Sequence, residues 1–360
     1  MNKFWGGSAK KMLGHCLAVG IFISEEGSDV WTEEEKKESW ANLEKALAWL
    51  TKQAEEYGVT VQFETHCPNW EEDIVLEKIP GYEDYDPEET KVVVNEIASQ
   101  LGYDDITAMY HGIKEEYEGY NIHFMFFANA DDRAHMSSVD VADEIRLLEY
   151  NMLYRAPGEP IDSFTFAHES LHAYSAMDLY NVYQTKQGAA SEKIAKKRFE
   201  SEVMLVDTGE GIEKSELSEF TAFLVGWHDD PKSWYAAMVQ PHDEEAFAEF
   251  LKNHQHFDES GNVIIEEEEE VLRYSFEEGT IVRYTINGSE DLIHWRRFDA
   301  EGEEEYGYWE SYTDENYYCL TDKNSAEELA IPFEGGMALI KYSPDQEYED
   351  WLEVSEEEEE

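Results

Sequence analysis

Apolar and polar positions follow two rhythms along the first half of the chain. Leu17 to Ser24 is a near-continuous apolar run of strand length and predicts a buried β-strand. Thr32 and Glu35 make a capping box, and Trp40, Leu43, Leu47, Leu50 and Ala54 then recur on one helical face until Gly58 stops the helix. Val59 to Glu64 alternates as a strand, and Glu88 to Leu101 predicts a second amphipathic helix with Val92, Val93, Ile97 and Leu101 inward. Tyr120 to Ala128 is an apolar, β-prone run, and Tyr150 to Tyr154 reads as another strand. An apolar helix carrying Phe164, Phe166, Ala167, Leu171 and Ala173 follows, and Asp162 or Ser163 can cap it. Strands alternating with helices point to an α/β layer.

Helices are expected over Leu217 to Trp227 and Glu244 to His254, and from about Asp258 the pattern changes. Ile281 to Ile286 alternates and ends in the turn signal Asn287-Gly288, and Ala338 to Tyr342 reads as a late strand. Between them lie Trp295, Tyr306, Tyr308, Trp309, Tyr312, Tyr317 and Tyr318, which can fill a small core or form a carbohydrate or partner platform. This region predicts a small antiparallel β-module. The expected organisation is an α/β domain over residues 1–257, a β-rich module over 258–352 and an acidic tail over 353–360.

Composition narrows the function classes. Of 360 residues, 83 are acidic and 27 basic, a net charge of -56. Nucleic acid and anionic membrane surfaces require clustered Lys and Arg, so neither is an expected partner. Hydrophobic residues at 42% and aromatics at 14% support a folded protein. The runs Glu266 to Glu270 and Glu356 to Glu360 read as solvated, the second as a disordered tail. Cys16, Cys67 and Cys319 give no disulfide framework. No stretch is long enough to span a bilayer. Lys10-Lys11 before Met12 to Ile23 imitates a signal peptide, but a first β-strand and a cytoplasmic location are the expectation.

The chemistry concentrates in His168-Glu169-Ser170-Leu171-His172. Histidines four residues apart on a helix stand one turn above the other. Both can therefore reach one zinc ion at about 2.0 to 2.1 Å. Glu169 then sits beside the metal, where a carboxylate can take a proton from zinc-bound water. The alternative is a pair of helix-face histidines hydrogen-bonded in a core. Catalytic zinc takes three protein ligands and keeps one open position. His123 and His135 have no ligand-like spacing around them, and His242, His254 and His256 read as a polar helix end.

Asp178 lies six residues beyond His172. That is the third-ligand spacing of His-Glu-x-x-His-x-x-Gly-x-x-His, with Asp in place of the last His. The stretch resembles the metzincin class of zinc metallopeptidases, in particular bacterial members with an Asp ligand. Ser201 to Val206 resembles the Met-turn, with Met204 beneath the metal, and Glu219 to Trp227 resembles the helix that closes the lower subdomain. The resemblance implies one Zn2+ held by His168, His172 and Asp178, Glu169 as general base, and a peptide or protein substrate. It implies a metalloprotease-like α+β catalytic domain with a twisted mixed sheet and a metal-bearing helix. It also makes Tyr120 to Ala128 the sheet edge lining the cleft, to which an extended peptide could add as a strand.

One position departs from the family. Ser175 stands where the family has Gly at the turn out of the helix. A helix continuing through Ser175 would carry Asp178 away from the metal. Glu192, twenty residues past His172, is then the third ligand, a spacing resembling the thermolysin-like class. Met204 in its apolar run can equally be plain core. Two functions stay open: a zinc metalloendopeptidase, and a non-catalytic peptide- or protein-binding protein that keeps the fold.

Overall fold

A computed structural model describes residues 7–356 except 83–85, 142–146, 156–157, 208, 210, 230, 233, 252–267, 287–288, 323–326 and 343–345. In chain order the first strands and helices are β1 (Gly14–Glu25), α1 (Glu33–Glu56), β2 (Val61–His66), β3 (Ile74–Leu76), α2 (Pro87–Gln100) and α3 (Ile106–Glu116). They are followed by β4 (Asn121–Ala128), β5 (His135–Asp140), β6 (Leu147–Tyr154) and α4 (Ser163–Ala173). The strands form one mixed sheet in the order β2-β1-β4-β6-β5, with β3 also paired to β1. β1, β2, β3, β4 and β6 run parallel, and β5 is antiparallel to β6.

Alternation along β1 sends side chains to both faces of the sheet. Leu17, Val19, Ile21 and Ile23 share a core with Val94, Ile97 and Ala98 of α2 and Ile106, Met109, Tyr110 and Ile113 of α3. On the other face Phe22 packs against Phe127, and Phe127 against Phe166 of α4. α1 lies on this face as well. Gly20 permits its approach, because a Cβ there would sit 2.7 Å from the Trp40 ring. The expected capping box is formed: Thr32 accepts from the Glu35 amide, and Glu35 accepts from the Thr32 amide at 2.8 Å.

Tyr120 to Ala128 is not a sheet edge, since β4 lies between β1 and β6 and every residue from Ile122 to Ala128 is buried. A strand apolar on both faces is one that the protein covers on both faces. Among the described residues the ends of the sheet are β2 and β5, and β5 has the short, polar sequence of an edge. In helix α2, Ile97, Val93 and Leu101 pack on the core as expected, and Val92 does not. Val92 is 66% exposed, and Val94, Ile97 and Ala98 face the core. Three consecutive valines cannot share one face at 100° per residue, and Val94, Ile97, Ala98 and Leu101 form the true i, i+3, i+4, i+7 stripe.

The chain divides into two units, Met1–Ala176 with Ser201–His228 and Met177–Glu200 with Asp229–Glu360. The remaining helices are α5 (Lys186–Arg198), α6 (Glu219–Leu224), α7 (Tyr235–Met238) and α8 (Glu244–Leu251). α6 belongs to the first unit, and α5, α7 and α8 to the second. The second unit also holds β7 (Glu268–Phe276), β8 (Gly279–Ile286), β9 (Ser289–Asp299), β10 (Glu304–Thr313), β11 (Tyr317–Asp322), β12 (Glu327–Pro332), β13 (Gly336–Lys341) and β14 (Glu349–Glu356). These eight strands make a closed antiparallel barrel, with β14 pairing β7. Tyr274, Ile281, Trp295, Tyr308, Leu320, Ile331, Ile340 and Val354 pack as one cluster, so these aromatics serve a core. The expected boundary after residue 257 differs from this division, because 177–200 and 229–251 go with the barrel. The expected tail also begins too early. Glu353 to Glu356 lie in β14, where Val354 is buried. Asn287-Gly288, His254 and His256 fall outside the described residues. Among those described, no helix is long and apolar enough to cross a membrane, and all three cysteines are free thiols.

Candidate metal centre

Asp162 starts α4 by accepting from the Thr165 amide at 2.9 Å and its hydroxyl at 2.8 Å. Two contacts to α1 fix this end: Asn42 donates to the Ile161 carbonyl, and Ser39 accepts from the Ile161 amide. Asn151 of β6, fully buried, donates to the Glu169 carbonyl at 2.8 Å and registers the helix on the sheet. The four-residue spacing then brings the His168 and His172 rings together, with centroids 4.8 Å apart.

The helix ends in a Schellman turn. The Ser175 amide donates to the His172 carbonyl and the Ala176 amide to the Leu171 carbonyl, both at 3.0 Å. Ser175 occupies the left-handed position with φ of 85°. The helix therefore does not continue through Ser175, and the chain doubles back toward the rings. One carboxylate oxygen of Asp178 and one nitrogen from each histidine lie within 4.8 Å of one another, the one such trio among the described residues. Glu192 is used elsewhere: on α5 it accepts from the Asn181 amide and pairs with Lys196.

The tautomers follow from the partners of the rings. His168 Nδ1 is 2.9 Å from the Val203 carbonyl, and His172 Nδ1 is 2.9 Å from the Ala176 carbonyl. A carbonyl oxygen can only accept, so both Nδ1 atoms donate. In neutral rings both Nε2 atoms then carry lone pairs, and they stand 3.1 Å apart. Two lone pairs at that separation repel unless a cation lies between them. Two ligands on a tetrahedral zinc at about 2.05 Å stand roughly 3.3 Å apart. Backbone carbonyls that fix the tautomer and aim the ring are the usual outer shell of a metal-bound histidine. A divalent cation fits these residues.

Residues 203–205 form a turn that supplies the Val203 carbonyl, and Met204 is fully buried there. The support beneath this turn is Glu202, which the sequence alone does not single out. Its fully buried carboxylate accepts from the Thr221 hydroxyl at 2.7 Å and from the Ser218 amide at the start of α6. Burial pushes its pKa up to about 7, against the opposing effect of the Thr221, Ser218 and Met204 hydrogen bonds. Glu169 is 5% exposed, and its Oε2 meets no hydrogen-bond donor among the described residues.

Neither a scan against protein-family models nor a search of curated proteins finds a match to this chain. The chemistry is therefore read from the geometry.

Among the described residues no other histidine joins the trio. His123 is buried in β4 with Nδ1 3.2 Å from the Tyr174 hydroxyl, and burial lowers its pKa to about 3. His135 on β5 stacks on Tyr154, and His242 contacts Asp243.

Proposed function

We propose that this chain is a zinc-dependent metallopeptidase of the metzincin type, with His168, His172 and Asp178 as ligands and Glu169 as general base. One observation carries the reading: two histidine Nε2 atoms 3.1 Å apart, both Nδ1 positions on carbonyl oxygens, and an Asp carboxylate within 4.8 Å. A histidine pair serving only a core would not need both rings turned with acceptor atoms face to face.

His168, His172 and Asp178 would hold the zinc ion, which would supply Lewis acidity and make water a better nucleophile near neutral pH. Glu169 follows His168 directly, and its buried carboxylate takes the proton of the attacking water and returns it to the leaving amine. The Val203 and Ala176 carbonyls keep the rings in the tautomer that leaves Nε2 for the metal. β5, the end strand beside α4, offers main-chain groups to an extended peptide.

The test is Glu169→Gln, assayed for zinc content and for cleavage of a broad peptide library with and without chelator. The expected result is zinc retained and chelator-sensitive cleavage lost by about 10²–10⁴-fold. Wild-type cleavage by the variant overturns the role of Glu169. A wild-type protein that holds zinc yet cleaves nothing in the library favours the non-catalytic peptide-binding reading instead.

A further inference from the structure

A second feature of the first unit lies outside the metal centre. β1 leads through α1 to β2 on one side of the sheet, and β4 and β6 lie on the other side of β1. The connections after β1 and β4 thus leave in opposite directions, and at such a switch point the loops beyond the carboxyl ends of the strands part and leave a crevice. Here the crevice is a cleft of about 820 Å³, lined among others by Asp29, Glu35, Asn129, Asp131 and Arg155. That volume falls within the usual range for small-molecule sites, about 300–1,000 Å³.

Arg155 is built into the wall. It is only 6% exposed, and its guanidinium lies 4.5 Å from the centre of the Trp31 ring. The Trp31 indole is itself fixed, donating to the Ile23 and Phe127 carbonyls at 3.2 Å. Arg155 Nε donates to Asn129 Oδ1 at 2.8 Å and Nη1 to Glu35. Nη2 has no acceptor among the described residues. The other Glu35 oxygen takes the Thr32 amide and hydroxyl at 2.8 Å, so Arg155 is anchored through the capping box of α1. A guanidinium held this firmly loses little entropy on gripping a carboxylate.

The neighbouring charges restrict the ligand. Asp29, Glu35 and Asp131 set three negative charges beside the one positive charge of Arg155. A bare anion meets net repulsion, while a molecule that brings its own cation does not. We infer that this cleft binds a small zwitterion, a free α-amino acid or short peptide, with its carboxylate on Arg155 Nη2 and its ammonium toward Asp29 and Asp131. The inference does not rest on the peptidase reading.

The test is calorimetric titration of the full chain, in chelator, with glycine, L-leucine and triglycine. The same titrations use the N-acetyl and methyl-ester forms, each of which lacks one charge. Saturable binding of at least one zwitterion is expected, weakened about tenfold or more in either capped form, a loss of at least about 1.4 kcal/mol. Arg155→Gln should abolish binding. Because that change strips Glu35 of its partner and can unfold the chain, the surface double variant Asp29→Asn with Asp131→Asn is measured beside it and should weaken binding about tenfold. No saturable heat with any of the three probes overturns the inference. So does undiminished binding of the capped forms or by the double variant. His168→Ala should bind as the wild type does, which separates this cleft from the metal centre.

Discussion

At Ser175 two costs compete. A non-glycine residue in the left-handed region costs about 1–2 kcal/mol, whereas glycine would enlarge the unfolded ensemble by roughly 0.5–1 kcal/mol. Ser175→Gly should therefore gain about 0.5–1 kcal/mol in urea unfolding, and Ser175→Val should lose at least about 1 kcal/mol, because a β-branched side chain suits φ of 85° least. The ligand assignment is tested three residues further on. Asp178→Asn should weaken zinc retention beyond the about 10–100-fold typical of outer-shell changes, while Glu192→Gln should leave it unchanged, its carboxylate being bound to Asn181 and Lys196. Retention that follows Glu192 instead would reverse the assignment. Glu202 links the site to pH. Its pKa is raised from 4.5 to about 7, so the fold holds a proton that the unfolded chain releases above 4.5. Its contribution to stability therefore falls as pH rises from 4.5 to 7, by about 3 kcal/mol, and is constant outside that window. Relative to Glu202→Gln, the wild type should lose stability across that range, and parallel curves for the two proteins would refute the shift.

Among the elements, those with strong periodicity or complete end signals were legible in sequence, and those shaped by their neighbours were not. The capping box, the run of β1 and the Asp162 start of α4 each follow from local chemistry. Thr32→Ala should cost about 1 kcal/mol by thermal unfolding, since both halves of that box are formed. β5 escapes a sequence reading because His-Met-Ser-Ser-Val-Asp has no run of apolar residues. α5 escapes it because a single long apolar residue, Ile194, marks its inner face. In α2 the triple valine hides the phase. Ile97→Ala is expected to cost about 2–5 kcal/mol and Val92→Lys less than about 0.5 kcal/mol, and equal losses would mean that Val92 faces the core. At the metal centre the two histidines and Glu169 are visible as a motif. The Val203 carbonyl and Glu202 are not, because backbone acceptors leave no mark in sequence and one buried glutamate is inconspicuous among 83 acidic residues.

For the molecule as a whole, a net charge of -56 means self-repulsion that added salt screens. The melting temperature should rise between low salt and about 1 M NaCl, where the Debye length is about 3 Å. A flat profile would mean that the acidic groups are spaced too widely to interact. The path of the backbone has a separate consequence. It passes from one unit to the other after Ala176, after Glu200 and after His228. A chain cut at residue 257 keeps 177–200 but loses the barrel, so Lys193 no longer meets Glu328, and Arg198 no longer meets the Ser311 carbonyl. The barrel is thus no detachable appendage. Genetic exchange that moved it to another protein would have to carry an internal ribbon of the donor along with it, and simple end-to-end shuffling would leave that ribbon behind.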